Sequence, residues 1–206
     1  MKELCILTKS LKDKGYCVVG ADTSTGKLYR LVADEFGTAI PKEVLDNKNI
    51  ETLDVIRVDL TKHVPLNCQT ENWLFDEDSI VKFGNKGLSE ILSLRPANND
   101  GVIFENTKTE LTVDEAKKMK HSVEILEVSN LKLNTSLKGD GRNHHKLQFR
   151  YCGNEYALAL TDPKLRQENL DKFPLGKATI VVSIPSHPFG EKNTHYKFVA
   201  KVFVHL

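Results

Sequence analysis

Polar and apolar residues alternate along 146–151, with Leu147, Phe149 and Tyr151 on one side of the chain and Lys146, Gln148 and Arg150 on the other. A period of two is that of a half-buried strand. Gly153-Asn154 supplies residues that tolerate positive φ at a two-residue turn, and 156–161 reads as the returning strand. The period then changes. Thr161 or Asp162 is placed to cap a helix, and Pro163 suits its first turn, where a missing N–H costs nothing; a short helix to about residue 170 is expected.

The same reading applied from the N-terminus gives strands at 3–8, 16–21 and 27–32, with the polar KSLKDKG at 9–15 as a loop and TSTG at 23–26 as a turn. Pro41 opens a short helix, 52–60 is a fourth strand, 61–78 a long loop and 79–83 a fifth strand. A helix over 87–94 is closed by Arg95-Pro96. The turn-rich ANNDG at 97–101 is the best break in the chain, separating a domain over 1–96 from one over 102–206.

The second half opens with a brief strand at 102–105 and a helix to about residue 119, started by the capping box of Thr112 and Glu115. A long strand at 123–133, a basic glycine-containing loop at 137–143 and the hairpin and helix come next. Strands at 177–184 and 195–204 close it, joined by a loop at 185–193. The brief strand at 102–105 aside, each half has five strands with a helix between the third and fourth, the order of the OB-fold. The expected architecture is mainly β with short helices, two tandem OB-like five-stranded barrels; one larger β-sandwich is the alternative.

The 29 basic and 28 acidic side chains nearly cancel, so a polyanion site has to be local rather than a property of the whole surface. Cys5, Cys17, Cys68 and Cys152 are far apart, with no zinc-like spacing, and read as four unlinked buried thiols. No apolar run is long enough for a signal peptide or a membrane span, which makes the expected setting cytoplasmic.

OB-folds receive oligonucleotides on the face of strands 2 and 3, flanked by the loops between strands 1 and 2 and between strands 4 and 5. In the second half this rule selects Lys138, Arg142 and His144, then Lys146, Gln148 and Arg150, then His187, Phe189 and Lys192. In the first half it selects Lys9, Ser10, Lys12 and Lys14, with Tyr16, Tyr29 and Arg30 from the hairpin. Closely spaced lysines suit phosphates, without sequence preference. The alternative reading of Lys146 and Arg150 is the solvated face of an amphipathic strand, and that of the lysine loop is solubility. Trp73 reads as an anchor for the long loop.

Catalysis finds little support. His144 and His145 are adjacent and so point apart in a strand, Asp76–Asp78 reads as a solvated turn, and no nucleophile, base and orienter come together. No cofactor is expected.

The segments ILTKSLKDKGYCVVGADTSTGKLYRLV at 6–32, EYALALTDP at 155–163 and SIPSHPFGEKNTHYKFVAKVF at 183–203 resemble the dual OB-containing domain family of bacterial conflict and defence systems. The matching positions are Lys9, Ser10, Gly15, Tyr16, Cys17, Gly20, Arg30, Thr161, Asp162, Tyr196 and Lys197. Leu28 stands where the family often has tryptophan, and Tyr29 follows it, on the strand face opposite Arg30. The resemblance implies a nucleic-acid-binding or sensing role in defence, without catalysis. The rival expectation is a protein-interaction or small-ligand sensor subunit that docks a partner effector.

Overall fold

The computed structural model describes residues 1–137, 143–167 and 176–205. It divides into two compact units, Met1–Pro96 and Ala97–Leu206.

In the first unit β1 (Lys2–Lys12), β2 (Gly15–Asp22) and β3 (Leu28–Leu31) form an antiparallel meander. β4 (Ile40–Pro41) adds a short ladder to β2 and leads into α1 (Lys42–Asp46). Gly15 is required there, because a Cβ would sit 2.3 Å from the Ile40 carbonyl oxygen. β5 (Asp54–Val58) and β6 (Leu60–His63) are parted by Asp59, and β7 (Asn72–Phe75) and β8 (Val81–Asn85) by residues 76–80; α2 (Leu88–Leu94) follows. β5 bonds to β1 and β8, β6 bonds to β7, and β7 runs parallel to β3. β5 and β6 thus act as one bent fourth strand that reaches both edges of the meander, by direct pairing at β1 and through β7 at β3. Leu4, Ile6, Val18, Leu31, Ile56 and Val58 fill the interior with Leu45 of α1.

Two expectations are corrected here. KSLKDKG is not a loop: β1 runs on to Lys12, and a two-residue turn with Asp13 at φ 52° returns it to Gly15. The polar residues misled because their neighbours in space, not in sequence, satisfy them. The long loop over 61–78 also contains strand, since β6 and β7 lie within it and the fifth strand starts at Asn72 rather than Ser79. Trp73 therefore belongs to the barrel wall, 5.9 Å from the Tyr29 ring and stacked on His63 at 4.8 Å.

The second unit starts with ANNDG already bonded to the barrel: Asn98 N–H donates to Ile125 O at 2.7 Å and the Tyr151 hydroxyl donates to Asn98 O at 2.9 Å. No strand forms at 102–105, because Phe104 and Glu105 both adopt positive φ (46° and 60°), outside the extended region. β9 (Glu110–Leu111) precedes α3 (Val113–Lys118), whose capping box is closed by Thr112 and Glu115 as the sequence predicts. β10 (Val123–Leu137), β11 (Asn143–Tyr151), β12 (Asn154–Leu160), β13 (Lys177–Ser183) and β15 (Phe198–Val204) form a closed barrel, ordered β10-β11-β12-β15-β13. α4 (Pro163–Gln167) lies between the third and fourth of these strands, and β14 (His195–Tyr196) leaves the barrel to pair with β9. β12 and β15 are parallel, as β3 and β7 are.

The turn of the β11–β12 hairpin is one residue earlier than expected. Tyr151 pairs with Asn154, so Cys152 (φ 45°) and Gly153 (φ 83°) occupy it, both left-handed as a type I′ turn demands. That placement exposes the Cys152 thiol and corrects the reading of four buried cysteines; Cys5 and Cys68 are buried, Cys17 half-buried.

Candidate nucleic-acid interface

Leu147, Phe149 and Tyr151 point into the second barrel, as their period predicts, and leave Lys146, Gln148 and Arg150 outside. Strand register then decides what stands beside each of them, because directly paired residues share a face. Lys146 lies between Asn134 of β10 and Ala159 of β12, and Ala159 in turn pairs with Phe198 of β15. Gln148 lies between Lys132 and Ala157. Arg150 lies between Ser129 and Glu155, and Ser129 pairs on its other side with Lys177. His144 faces Ser136 at the far end.

The outer wall thus carries exposed Lys132, Lys146, Arg150 and Lys177, with the amides of Asn134 and Gln148 between them. Asn134 Nδ2 donates to Gln148 Oε1 at 3.3 Å, which orients both amides along the face. Arg150 shares its guanidinium with Glu155 at 3.4 Å, an exposed pair of small energetic value. Ala157 and Ala159 form a low strip beside these long side chains. The strip's other margin is aromatic. Phe189, from the loop between β13 and β14, stacks on Phe198 with ring centroids 5.8 Å apart and planes 9° apart, and Tyr196 packs against Phe189 at 5.1 Å. Phe189 remains 46% exposed.

Lys132, Lys177, Tyr196 and Phe198 were not selected from the sequence. Lys132 and Lys177 lie on strands 1 and 4, outside the rule for strands 2 and 3, and only the register brings them onto the same wall. Among the loop residues, His187 is exposed, and Lys192 is exposed but directed to Glu110 at 3.1 Å. Lys138 and Arg142 lie outside the described residues. His145, on the inner side of β11, accepts or donates a hydrogen bond with Thr135 Oγ1 at 3.0 Å; burial, helped by the Arg166 charge, pushes its pKa down.

The first unit places its predicted residues differently. Lys9 points into the end of its barrel, where Nζ meets Asp46 at 2.7 Å, Glu51 at 3.3 Å and the Ile50 carbonyl at 2.9 Å. Burial opposes its charge, but the two carboxylates outweigh it and raise its pKa. Tyr16 is buried and donates to Asp46 at 3.2 Å, and buried Ser10 donates to Cys17 O at 3.4 Å. Lys12 donates to Gly37 O at 2.6 Å. Arg30, 2% exposed, is held by Glu71 through Nε and Nη2, both at 3.1 Å, and by Cys17 Sγ. These side chains serve the interior of the unit and do not converge on an open phosphate-contacting face.

The reason is a cover. On the outer side of the first meander the register rows are Cys5–Ala21–Leu28 and Thr8–Val19–Arg30, all buried, and the one long polar side chain among them, Arg30, is paired with Glu71. The segment carrying buried Cys68 and Gln69 and half-buried Glu71 lies against Arg30. α2 buries Ile91, and its end packs on the β2–β3 turn, where a Cβ on Gly26 would lie 2.9 Å from Arg95 Cβ.

Away from the open face, the second unit buries Lys197. Its ammonium donates to Ile103 O at 2.6 Å, Asn106 O at 2.9 Å and Asn106 Oδ1 at 2.7 Å. Burial pushes its pKa down to about 8, against the pull of Glu124, Glu115 and Glu110. Asp162, wholly buried, accepts from Lys201 at 3.0 Å and from Val202 N–H at 3.2 Å and also caps α4 through Lys164 N–H. These bonds account for the matching motif positions Asp162 and Lys197 as structural. Among the described residues no cluster of three His, Cys, Asp or Glu side chains is arranged to hold a metal ion, and no helix is long and apolar enough to cross a membrane.

Both units have the five-strand cyclic order, with a helix between the third and fourth strands and strand 5 parallel to strand 3, that defines a tandem OB-fold protein. The sequence profile of the dual OB-containing domain family matches residues 2–202, and the chain belongs to that family. No curated protein matches the sequence significantly. Among solved structures, the p204 HINb domain matches at 10% identity and a TM-score of 0.41, covering 96% of this chain and 95% of its own. A murine DNA binding protein bound with double-stranded DNA matches at 6% identity and 0.39, covering 98% and 97%. The tetrameric p202 HIN2 domain matches at 12% identity and 0.35, covering 98% and 91%. Scores this low leave the ligand question to the geometry.

Proposed function

We propose that the chain is a non-catalytic nucleic-acid-binding module whose ligand lies on the outer wall of the second barrel. The observation that carries this reading is the set of register rows that gathers Lys132, Lys146, Arg150 and Lys177 on one uncovered face, interleaved with Asn134 and Gln148. Cations spaced along adjacent strands track a phosphate backbone, while the amides contribute neutral hydrogen bonds. Lys138, Arg142, His144 and Lys192 flank this face in sequence and extend the proposed site. In the first unit, Lys9, Ser10, Tyr16 and Arg30 hold the fold together, and Lys12 lies at the periphery. The setting implied by the family is recognition in bacterial defence, in the cytoplasm.

Fluorescence anisotropy with labelled DNA and RNA oligonucleotides at low and near-physiological salt tests the proposal. Affinity is expected to fall as salt rises and to fall further when Lys146 and Arg150 are changed to alanine. No binding at low salt would refute it.

A second reading, docking of a protein effector, is favoured by β8. This strand ends the sheet of the first unit and exposes Val81 and Phe83, the latter under Arg57 at 3.6 Å. An extended partner segment adding to that edge gives affinity through main-chain hydrogen bonds. Binding to a partner that survives high salt and is abolished by Val81→Pro would favour this reading.

A further inference from the structure

We propose that Phe189 is a base-stacking platform and that the second barrel accordingly takes single-stranded nucleic acid with unpaired bases in preference to duplex. The inference rests on the nucleic-acid reading of the same wall and adds to it the ligand's state and the residue that reads it.

Three observations carry it. Phe189 is 46% exposed although it stands on a folded loop, and one of its faces is already satisfied by Phe198, whose ring plane lies within 9° of its own. A ring held by Phe198 and Tyr196 and still 46% exposed is a pre-positioned surface, with little side-chain freedom left to lose when a base covers it. The loop itself is braced: Phe189 and Thr194 exchange backbone hydrogen bonds, and Asn193 N–H donates to Gly190 O. Gly190, at φ 76°, lets Tyr196 approach, since a Cβ there would lie 3.3 Å from that ring.

The platform also has the right neighbours. Phe198 pairs with Ala159 and Ala159 with Lys146, so two strand spacings, roughly 10 Å, separate the aromatic margin from the first cation. Nothing larger than an alanine methyl lies between them in that row. That distance is the scale of one nucleotide from its base to its phosphate. A duplex turns its bases inward and offers the ring only a sugar–phosphate edge, whereas a single strand can lay a base on Phe189 and its phosphate on Lys146. The cations alone would not discriminate between the two. The ring does.

The test measures affinities of the full chain and of Phe189→Ala, Phe189→Trp and Lys146→Ala for four probes of equal length: single-stranded DNA, single-stranded RNA, the DNA duplex, and an abasic single strand. Phe189→Ala is expected to weaken binding of both base-bearing single strands on the order of 5- to 150-fold, the range for removal of one stacked base. It should leave duplex and abasic strand unchanged, and Phe189→Trp should restore affinity. Lys146→Ala should weaken all four. A preference between the DNA and RNA strands assigns the sugar and leaves the platform standing. Equal weakening on the abasic strand, or none on any strand while the wild type still binds, overturns the platform but not the basic wall. If no probe binds the wild type, both fall, and the aromatic margin becomes a surface for a protein segment.

Discussion

The two units follow one strand order, yet their equivalent faces have opposite fates. In the second, the wall of strands 1 to 3 presents Lys132, Lys146, Gln148 and Arg150 to solvent. In the first, the corresponding rows hold Cys5, Ala21, Leu28, Val19 and Arg30, all buried, and the chain folds its own later segments over them. The topology creates a sheet face twice, and the residues on it determine whether the face is a core or a surface. Arg30 in the first unit and Lys197 in the second are both almost wholly buried, and they are held by different means. Arg30 has a carboxylate directly against it, Glu71 at 3.1 Å, whereas Lys197 sits among carbonyl oxygens with its carboxylates further off. The pKa of Arg30 is raised, Glu71 and Cys17 outweighing the burial that opposes its charge; that of Lys197 is lowered by burial.

The largest effect expected from this contrast is that of Arg30→Ala. It strands Glu71 under the cover of the first unit, and breaking one partner of a buried pair costs about 3–5 kcal/mol. Urea unfolding should register the change, while oligonucleotide affinity in the absence of denaturant should not move. Failure of a folded Arg30→Ala protein to bind would mean that the covered face takes part after all.

Lys197 gives the next effect, and its sign differs. Its folded pKa, about 8, lies below the ordinary lysine value of 10.5, so the folded state binds fewer protons between those limits and stability rises with pH across them. The gain is on the order of 2–3 kcal/mol. The buried Cys5 and Cys68 thiols, pushed up to about 11, work the other way above pH 9. The clean measurement is therefore the stability difference between wild type and Lys197→Met: it should move in favour of the wild type from pH 8 to 10.5. A pH-independent difference would show that the ammonium is not strained.

On the open wall, changing Lys146 and Arg150 together to alanine should reduce the salt slope of single-strand binding by about 0.7 for each phosphate no longer neutralised. Lys12→Ala and Lys14→Ala in the first unit should leave the slope unchanged, and an equal drop there would erase the distinction between the faces. The smallest change is expected from Glu155→Gln. Removing the carboxylate beside Arg150 frees an exposed guanidinium, worth at most about 1 kcal/mol of tighter binding.

Much of this was legible in the chain. The alternation over 146–151 gave the strand and its two sides without any partner, because side chains in a strand alternate whatever they pack against. Thr112 with Glu115 and the helix start at Pro163 were equally local. Errors fell where local character and tertiary role disagree. Lys9, Ser10 and Lys12 read as loop because the groups that hold the two lysines, Asp46, Glu51 and Gly37, are distant in sequence. Asn72 and Trp73 were missed as strand because the parallel ladder they form with Arg30 and Leu31 has no turn to announce it.

By itself, then, the sequence determined the OB-like class and which residues share a side of the strands whose period it shows, since period, caps and breakers act over a few residues. Only the tertiary structure decided which side of each barrel is covered, how Arg30 meets Glu71 across 41 positions of chain, and that Phe189 rests on Phe198 one strand away from the basic wall. Burial, ion pairing and ring stacking depend on what arrives from elsewhere in the chain, and no local pattern encodes the arrival.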